Sequence, residues 1–157
     1  MITGLPEASL YTAFTGYQPN IEAKQFLVFF EGQFTLNLFG CCLWNSCEII
    51  DLDIFHAIVI GTIDSKPVAI LETGGVPGNF ETISIRQLMS TTSENTFSLL
   101  SHGLQILISR KEHRYCGYCG AENHQAQGEW AMVCSQCEYH SYPRISPCII
   151  VLIERGD

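Results

Sequence analysis

Four cysteines carry the clearest chemistry in this sequence. Cys116 and Cys119 form one C-x2-C pair, Cys134 and Cys137 form another, and fourteen residues separate the pairs. Two such pairs at that distance can bring four thiolates to the corners of one tetrahedron, the geometry of structural Zn²⁺. Gly117 within the first pair and Gly120 just after it supply the unhindered backbone that a tight turn around a metal needs. A redox C-x-x-C would need a strand leading directly into a helix, and neither pair has one evident after it. Four cysteine ligands leave no position for water or substrate, so the expected metal organises structure and performs no chemistry. A unit of about thirty residues buries too little apolar surface to fold alone, and metal binding would supply the missing free energy. His124 and His140 lie near the pairs but are surplus to a complete four-sulfur shell and are read as solvent-facing. Trp130 is read as a core residue of the strand that leads to the second pair.

The elements that must position this quartet lie on both sides of it. Residues 1–24, with Gly4, Pro6, Gly16 and Pro19, read as loop. Two β-rich runs follow, Gln25 to Glu31 and Gln33 to Phe39, broken at Gly32 as in a hairpin. In the second, Phe34, Leu36 and Leu38 alternate with Gln33, Thr35 and Asn37, which predicts one buried and one solvated face. Ile54 to Thr62 and Lys66 to Thr73 predict a second hairpin across Asp64-Ser65. The breakers of 74–79 predict a loop, and Thr82 to Leu88 a short strand. Thr91-x-x-Glu94 fits a capping box, and Phe97, Leu100, Leu104 and Leu107 then recur at helical spacing. Arg110, Lys111, His113 and Arg114 suit the negative end of that helix dipole. The class is therefore α+β, with the strands mostly preceding the longest helix. The expected divisions are an N-terminal α+β domain at 1–111, a four-cysteine ribbon at 112–143, and the opening of a further domain at 144–157. Within that last stretch Cys148 to Ile153 is continuously apolar and predicts a strand buried on both faces.

Composition excludes several classes. Hydrophobic residues make up 46% of the 157, which is enough for a core, yet no run nears the roughly 20 apolar residues of a membrane span. Met1 to Leu10 contains Glu7 and no basic region, unlike a secretory leader, so a cytoplasmic location is expected. The other cysteines (Cys41, Cys42, Cys47 and Cys148) lie among apolar residues and read as reduced, small hydrophobes. Sixteen acidic against eight basic residues give a formal charge of −8, and binding Zn²⁺ through four thiolates would add about two more negative charges. That balance argues against duplex DNA or an anionic membrane as partner. Five of the eight basic residues fall from Arg110 onward, a local bias that suits a solvated surface.

Three stretches carry a resemblance: Tyr115 to Gly120, Glu129 to Cys137, and Tyr142 to Val151. In cysteine spacing, in the Glu-Trp-Ala-Met run and in the Tyr-Pro-Arg-Ile-Ser-Pro-Cys-Ile-Ile-Val run, the sequence resembles the NADH pyrophosphatase family of Nudix hydrolases. Before Arg110 the likeness lies in length, α+β character and a local Ile85-Arg86-Gln87 segment. The resemblance implies hydrolysis of the NADH or NAD⁺ pyrophosphate to nicotinamide mononucleotide and AMP, and removal of NAD caps from RNA in some members. It also implies a homodimer, a structural zinc held by Cys116, Cys119, Cys134 and Cys137, and a catalytic Mg²⁺ or Mn²⁺. In that family the metal ions of catalysis are held by glutamates of a Nudix box, where they activate water and neutralise the pyrophosphate. The 157 residues contain no such box and not one adjacent Glu-Glu pair, so the chain is expected to be inactive alone, with no catalytic residue to assign. Three substrate-contacting positions carry over: Tyr142, whose ring would stack on a base; Glu129, whose carboxylate would meet ribose hydroxyls or an amide; and Arg86, suited to phosphate or a base edge. A basic contact from the family's N-terminal hairpin has no counterpart, since Phe30-Glu31-Gly32 holds no lysine. The competing reading is a non-enzymatic zinc-ribbon module that binds protein or nucleic acid, with nucleic acid disfavoured by the charge.

Overall fold

The computed structural model describes residues 9–18, 21–49, 52, 56–75, 80–146 and 149–155. The first sheet is built from β1 (Tyr11–Ala13), β2 (Gln25–Phe30), β3 (Gln33–Thr35), β4 (Leu43–Asn45), β5 (Ile58–Ile63), β6 (Lys66–Glu72) and β7 (Thr82–Ile83). Its order is β1-β5-β6-β2-β3-β7, with β4 paired to the start of β2 beside β3. All pairings are antiparallel except β2 with β6, where Gln25 to Phe29 run alongside Val68 to Glu72. Helices α1 (Ile85–Met89) and α2 (Glu94–Glu112) follow. A second, three-stranded sheet, in the order β10-β9-β8, holds β8 (Asn123–Gln125), β9 (Met132–Cys134) and β10 (His140–Ser141).

The central strands are apolar on both faces, and each face has its own cover. Leu27, Phe29, Ile58, Ile60, Val68 and Ile70 meet Leu99, Leu100, Ile106 and Leu107 of α2. The alternate residues, Phe26, Val28, Val59, Ala69 and Leu71, form a second cluster with Trp44 and Ile49. Period-two burial explains both layers, because neighbouring side chains of a strand point to opposite faces. Gly103 lets the helix approach closely: a Cβ there would lie 2.9 Å from Ile60 Cδ1 and 3.2 Å from Ile70 Cδ1.

Both hairpins form where expected, with the predicted residues 54–55 lying outside the described residues. Their turns take left-handed backbone at Glu31 (φ 47°) and Gly32 (φ 84°), and at Asp64 (φ 48°) and Ser65 (φ 66°). Two consecutive left-handed residues match the twist of the flanking antiparallel strands. Leu10 N–H donates to Asp64 Oδ1 at 2.9 Å and holds that carboxyl below its ordinary range.

Five expectations are corrected. Residues 11–13 are a strand, not loop: Tyr11 to Ala13 pair with Gly61 to Ile63, which supply the backbone partners. The strand from Gln33 ends at Thr35, and its alternation fails at both ends. Thr35 is fully buried, its hydroxyl donating to Val28 O and its carbonyl receiving Trp44 Nε1–H, while Leu38 is exposed in a turn. Thr82 to Leu88 divides at Ser84, which accepts from Gln87 N–H while Gln87 Oε1 accepts from Ser84 N–H. That Ser-x-x-Gln capping box starts α1 three residues after the strand begins. The cap of α2 is Ser93, whose hydroxyl accepts from Thr96 N–H, whereas the Thr91 hydroxyl turns back to Gln87 O. The buried face is accordingly Thr96, Leu99, Leu100, Gly103, Ile106 and Leu107, with Phe97 and Leu104 only partly covered. Finally, Ile149 to Ile153 form no strand and are exposed, because no neighbouring strand among the described residues offers them hydrogen-bond partners. Cys148, the loop residues 76–79 and the turn at Gly156-Asp157 lie outside the described residues.

Among the described residues, no helix is long and apolar enough to cross a membrane. Cys42 is buried as expected and its thiol is pushed up to about 12 by that burial. Cys47 is exposed, on the short 3-10 turn Ser46–Glu48, and so is not the packed hydrophobe expected of it.

Candidate metal centre and the cleft beside it

Two knuckles of matching design present the four sulfurs. In the first, Gly120 N–H donates to Cys116 O at 2.9 Å and Tyr118 N–H points at Cys116 Sγ at 3.4 Å. In the second, Glu138 N–H donates to Cys134 O at 3.1 Å and Gln136 N–H points at Cys134 Sγ at 3.4 Å. Each knuckle closes with a left-handed residue, Gly120 (φ 78°) in one and Glu138 (φ 58°) in the other. The backbone N–H groups of Cys119 and Tyr118 lower the pKa of the Cys116 thiol. Those of Cys137 and Gln136 hold Cys134 down at about 6, against some opposing desolvation. Amide hydrogens aimed at sulfur favour thiolate, the form that binds metal.

The four sulfurs lie within 4.8 Å of one another, with Cys116 to Cys137 at 3.6 Å and Cys119 to Cys134 at 3.4 Å. A tetrahedral site with Zn–S bonds of about 2.3 Å has sulfur edges of about 3.8 Å, so the donor set fits zinc in type and spacing. His124 and His140 are exposed and outside this cluster. Cys116 and Cys134 are buried while Cys119 and Cys137 are exposed, which sets the centre at the rim of the ribbon.

Trp130 is not the core of a ribbon strand. It lies in the bend between β8 and β9 and packs on the N-terminal core, half-buried. Its Nε1–H donates to Phe14 O at 3.1 Å, and its ring meets the edge of His102 on α2 at 6.0 Å. Gly128 N–H donates to Tyr17 O at 3.0 Å, and a Cβ on Gly16 would overlap the Gly128 carbonyl. Residues 14–17 therefore grip the bend on both sides of Glu129. At the other end, Asn123 Nδ2–H donates to His113 O at 2.9 Å and ties β8 to the end of α2.

The bend and β10 bring two of the resemblance-derived positions together. Tyr142 O–H donates to Glu129 Oε2 at 2.7 Å, and this hydrogen bond raises the Tyr142 pKa. The Tyr142 ring also stacks on His140 at 6.3 Å and 22°. Arg86 stands apart on α1, exposed and with no hydrogen bond to either residue. Tyr142 borders an open cleft of about 590 Å³ that reaches across both knuckles to the end of α2. Tyr118, Tyr139 and Arg144 of that cleft were not singled out as site residues from sequence; the available signal was a tyrosine on or beside each C-x2-C pair.

A four-cysteine, three-stranded ribbon docked on an α+β domain defines a zinc-ribbon protein. Residues 111–142 match the family described as the NADH pyrophosphatase zinc ribbon domain. It is similar to the NAD-capped RNA hydrolase NudC of Yersinia enterocolitica serotype O:8 / biotype 1B, 45% identical over 74 residues. The corresponding proteins of Yersinia pestis (strain Pestoides F) and Yersinia pseudotuberculosis serotype O:1b match to the same extent. These matches cover 47% of this chain and 28% of each relative, so the chain matches little more than a quarter of the length of those enzymes.

Proposed function

We propose that this chain is the N-terminal and zinc-ribbon part of an NADH/NAD pyrophosphatase, supplying substrate contacts and catalytically incomplete by itself. The reaction of the full-length enzyme is hydrolysis of the dinucleotide pyrophosphate to nicotinamide mononucleotide and AMP, with removal of NAD caps from RNA. The observation that carries the reading is the 2.7 Å hydrogen bond between Tyr142 and Glu129. It joins, at the mouth of a cleft, two residues that are thirteen positions apart and of the types that hold a base and a ribose or amide. In this reading residues 1–111 are the supporting domain, 112–143 the ribbon, and 144–157 the entry to a Nudix domain. Cys116, Cys119, Cys134 and Cys137 hold structural zinc, which would fix both knuckles and hence the setting of Tyr142. Mg²⁺ or Mn²⁺ would act in the catalytic domain, the enzyme would be a cytoplasmic homodimer, and Arg86 would add a third contact to phosphate or a base edge.

The zinc-loaded 157-residue chain, titrated with NADH and followed by nicotinamide fluorescence, tests this directly. Saturable binding is expected to weaken about five-fold or more in Glu129→Gln and Tyr142→Ala, each of which loses a hydrogen-bonding or stacking partner. Arg86→Ala is expected to weaken it in the same direction. No NADH should be cleaved when Mg²⁺ is added. Turnover by the purified chain, or affinity indifferent to Glu129 and Tyr142, would defeat the reading.

A further inference from the structure

We propose that Trp130 is a positioning residue: held by the Phe14 carbonyl, it sets the backbone from which Glu129 reaches Tyr142. The segment 14–17 thereby serves the ligand site without touching the ligand. Glu129 lies in the bend 127–130, between β8 and β9, and is exposed. Tyr142 is 52% exposed. A hydrogen bond between two exposed side chains must offset the rotamer freedom that each loses, and a loose backbone under either one adds to that cost. The 2.7 Å contact between them therefore depends on a bend that is fixed from elsewhere.

The ribbon fixes that bend only in part. Ala126 N–H donates to Ala131 O at 2.9 Å and closes it. Gln125 Nε2–H donates to Glu129 O at 3.1 Å and to Ala131 O at 3.0 Å. The other anchors come from far away in the chain. Trp130 Nε1–H donates at 3.1 Å to Phe14 O, 116 positions earlier. Phe14 N–H in turn donates to Ile60 O at 2.9 Å, so this anchor is continuous with β5. On the other side of Glu129, Gly128 N–H donates to Tyr17 O at 3.0 Å, and a Cβ on Gly16 would lie 2.8 Å from Glu129 N. So close an approach leaves no room for a side chain at position 16. Both neighbours of Glu129 are thus tied to the segment 14–17. The Trp130 ring also meets His102 edge-on at 6.0 Å, so a phenylalanine there keeps an aromatic contact and loses the N–H donor.

The test uses the zinc-loaded chain with its tyrosines carbon-13-labelled at Cζ, read by NMR at neutral pH. The Tyr142 resonance is the one absent from Tyr142→Phe, and Glu129→Gln gives its position without a carboxylate acceptor. Trp130→Phe is expected to shift that resonance from the wild-type position toward the Glu129→Gln position. Gly16→Ala should shift it the same way from outside the ribbon. Bound zinc, measured alongside, should stay equal to wild type, which separates a displaced bend from a ribbon that has come apart. NADH affinity should fall about three-fold or more in Trp130→Phe, and no further when Trp130→Phe is added to Glu129→Gln. The proposal is overturned if either variant leaves the resonance at its wild-type position or if the shift comes only with loss of zinc. It is equally overturned if Trp130→Phe weakens NADH binding to the same extent with and without the Glu129 carboxylate. The affinity measurement rests on the proposed function, whereas the resonance needs no ligand. A chain that binds no NADH would therefore defeat that reading and leave this one to be decided by the Tyr142 resonance.

Discussion

At Glu138 the ribbon uses a residue type that its backbone does not favour. The two knuckles share one design, yet the left-handed closing position is Gly120 in the first and Glu138 in the second. An L-residue with a Cβ is about 1–2 kcal/mol less stable there than in right-handed backbone, a cost that glycine avoids. Glu138→Gly should therefore relax the second knuckle and slow the loss of zinc to a chromophoric chelator. Glycine's freer unfolded chain offsets part of the gain. Faster zinc release in the variant would show that the Glu138 side chain contributes something that the strain argument omits. Gly120 as a turn residue was legible in the sequence because glycine announces itself. Glu138 was not, since only the repeated geometry of the two knuckles reveals what its position requires.

At the scale of elements, local hydrogen bonds decided the boundaries that hydrophobic periodicity left open. Both helices start at a serine, Ser84 and Ser93, whose side chain accepts an otherwise unpaired N–H of the first turn. Ser93→Ala should lower stability by about 1 kcal/mol in urea unfolding, whereas Thr91→Ala should change it far less. Equal losses would return the cap to the Thr91-x-x-Glu94 box read from the sequence. The two hairpins and the long helix were legible because their apolar spacing is strong. The short strand at Tyr11–Ala13 was not, because three residues carry no period and its pairing with β5 depends on residues some fifty positions away. The apolar run at 149–153 shows the reverse failure: a strand-like pattern is not a strand until another strand pairs with it.

For the molecule as a whole, the ribbon is seated on the first sheet and its helix by a pinned bend at one end and by the Asn123–His113 hydrogen bond at the other. Trp130 bonds to Phe14 and meets His102, and the Tyr11 hydroxyl lies 2.6 Å from His102 Nδ1. Burial lowers the His102 pKa and raises that of Tyr11, so both are neutral in the fold at neutral pH. In the unfolded chain His102 takes up its proton near its ordinary value of about 6.5, before the folded chain does. The stability linked to its neutral form is thus complete above that value and is lost as pH falls through it toward the lower folded value. The urea midpoint should drop between about pH 7 and pH 5, and His102→Gln, which cannot take up that proton, should show a shallower drop. An unchanged slope would remove His102 from the seam.

The sequence by itself determined what its local patterns could specify: an α+β domain, two hairpins, a helix with a basic end, and four cysteines spaced for one metal. Each follows from residue type at short separation, where a turn, a cap or a knuckle is complete within a few positions. Tertiary structure decided that Trp130 serves the seam between domain and ribbon and not a strand core. It also decided that Glu129 and Tyr142 share a hydrogen bond, and that four tyrosines from both knuckles face one cleft. Those facts depend on contacts between segments far apart in the chain. Such contacts form through packing and backbone pairing across the whole fold, and no local period encodes them.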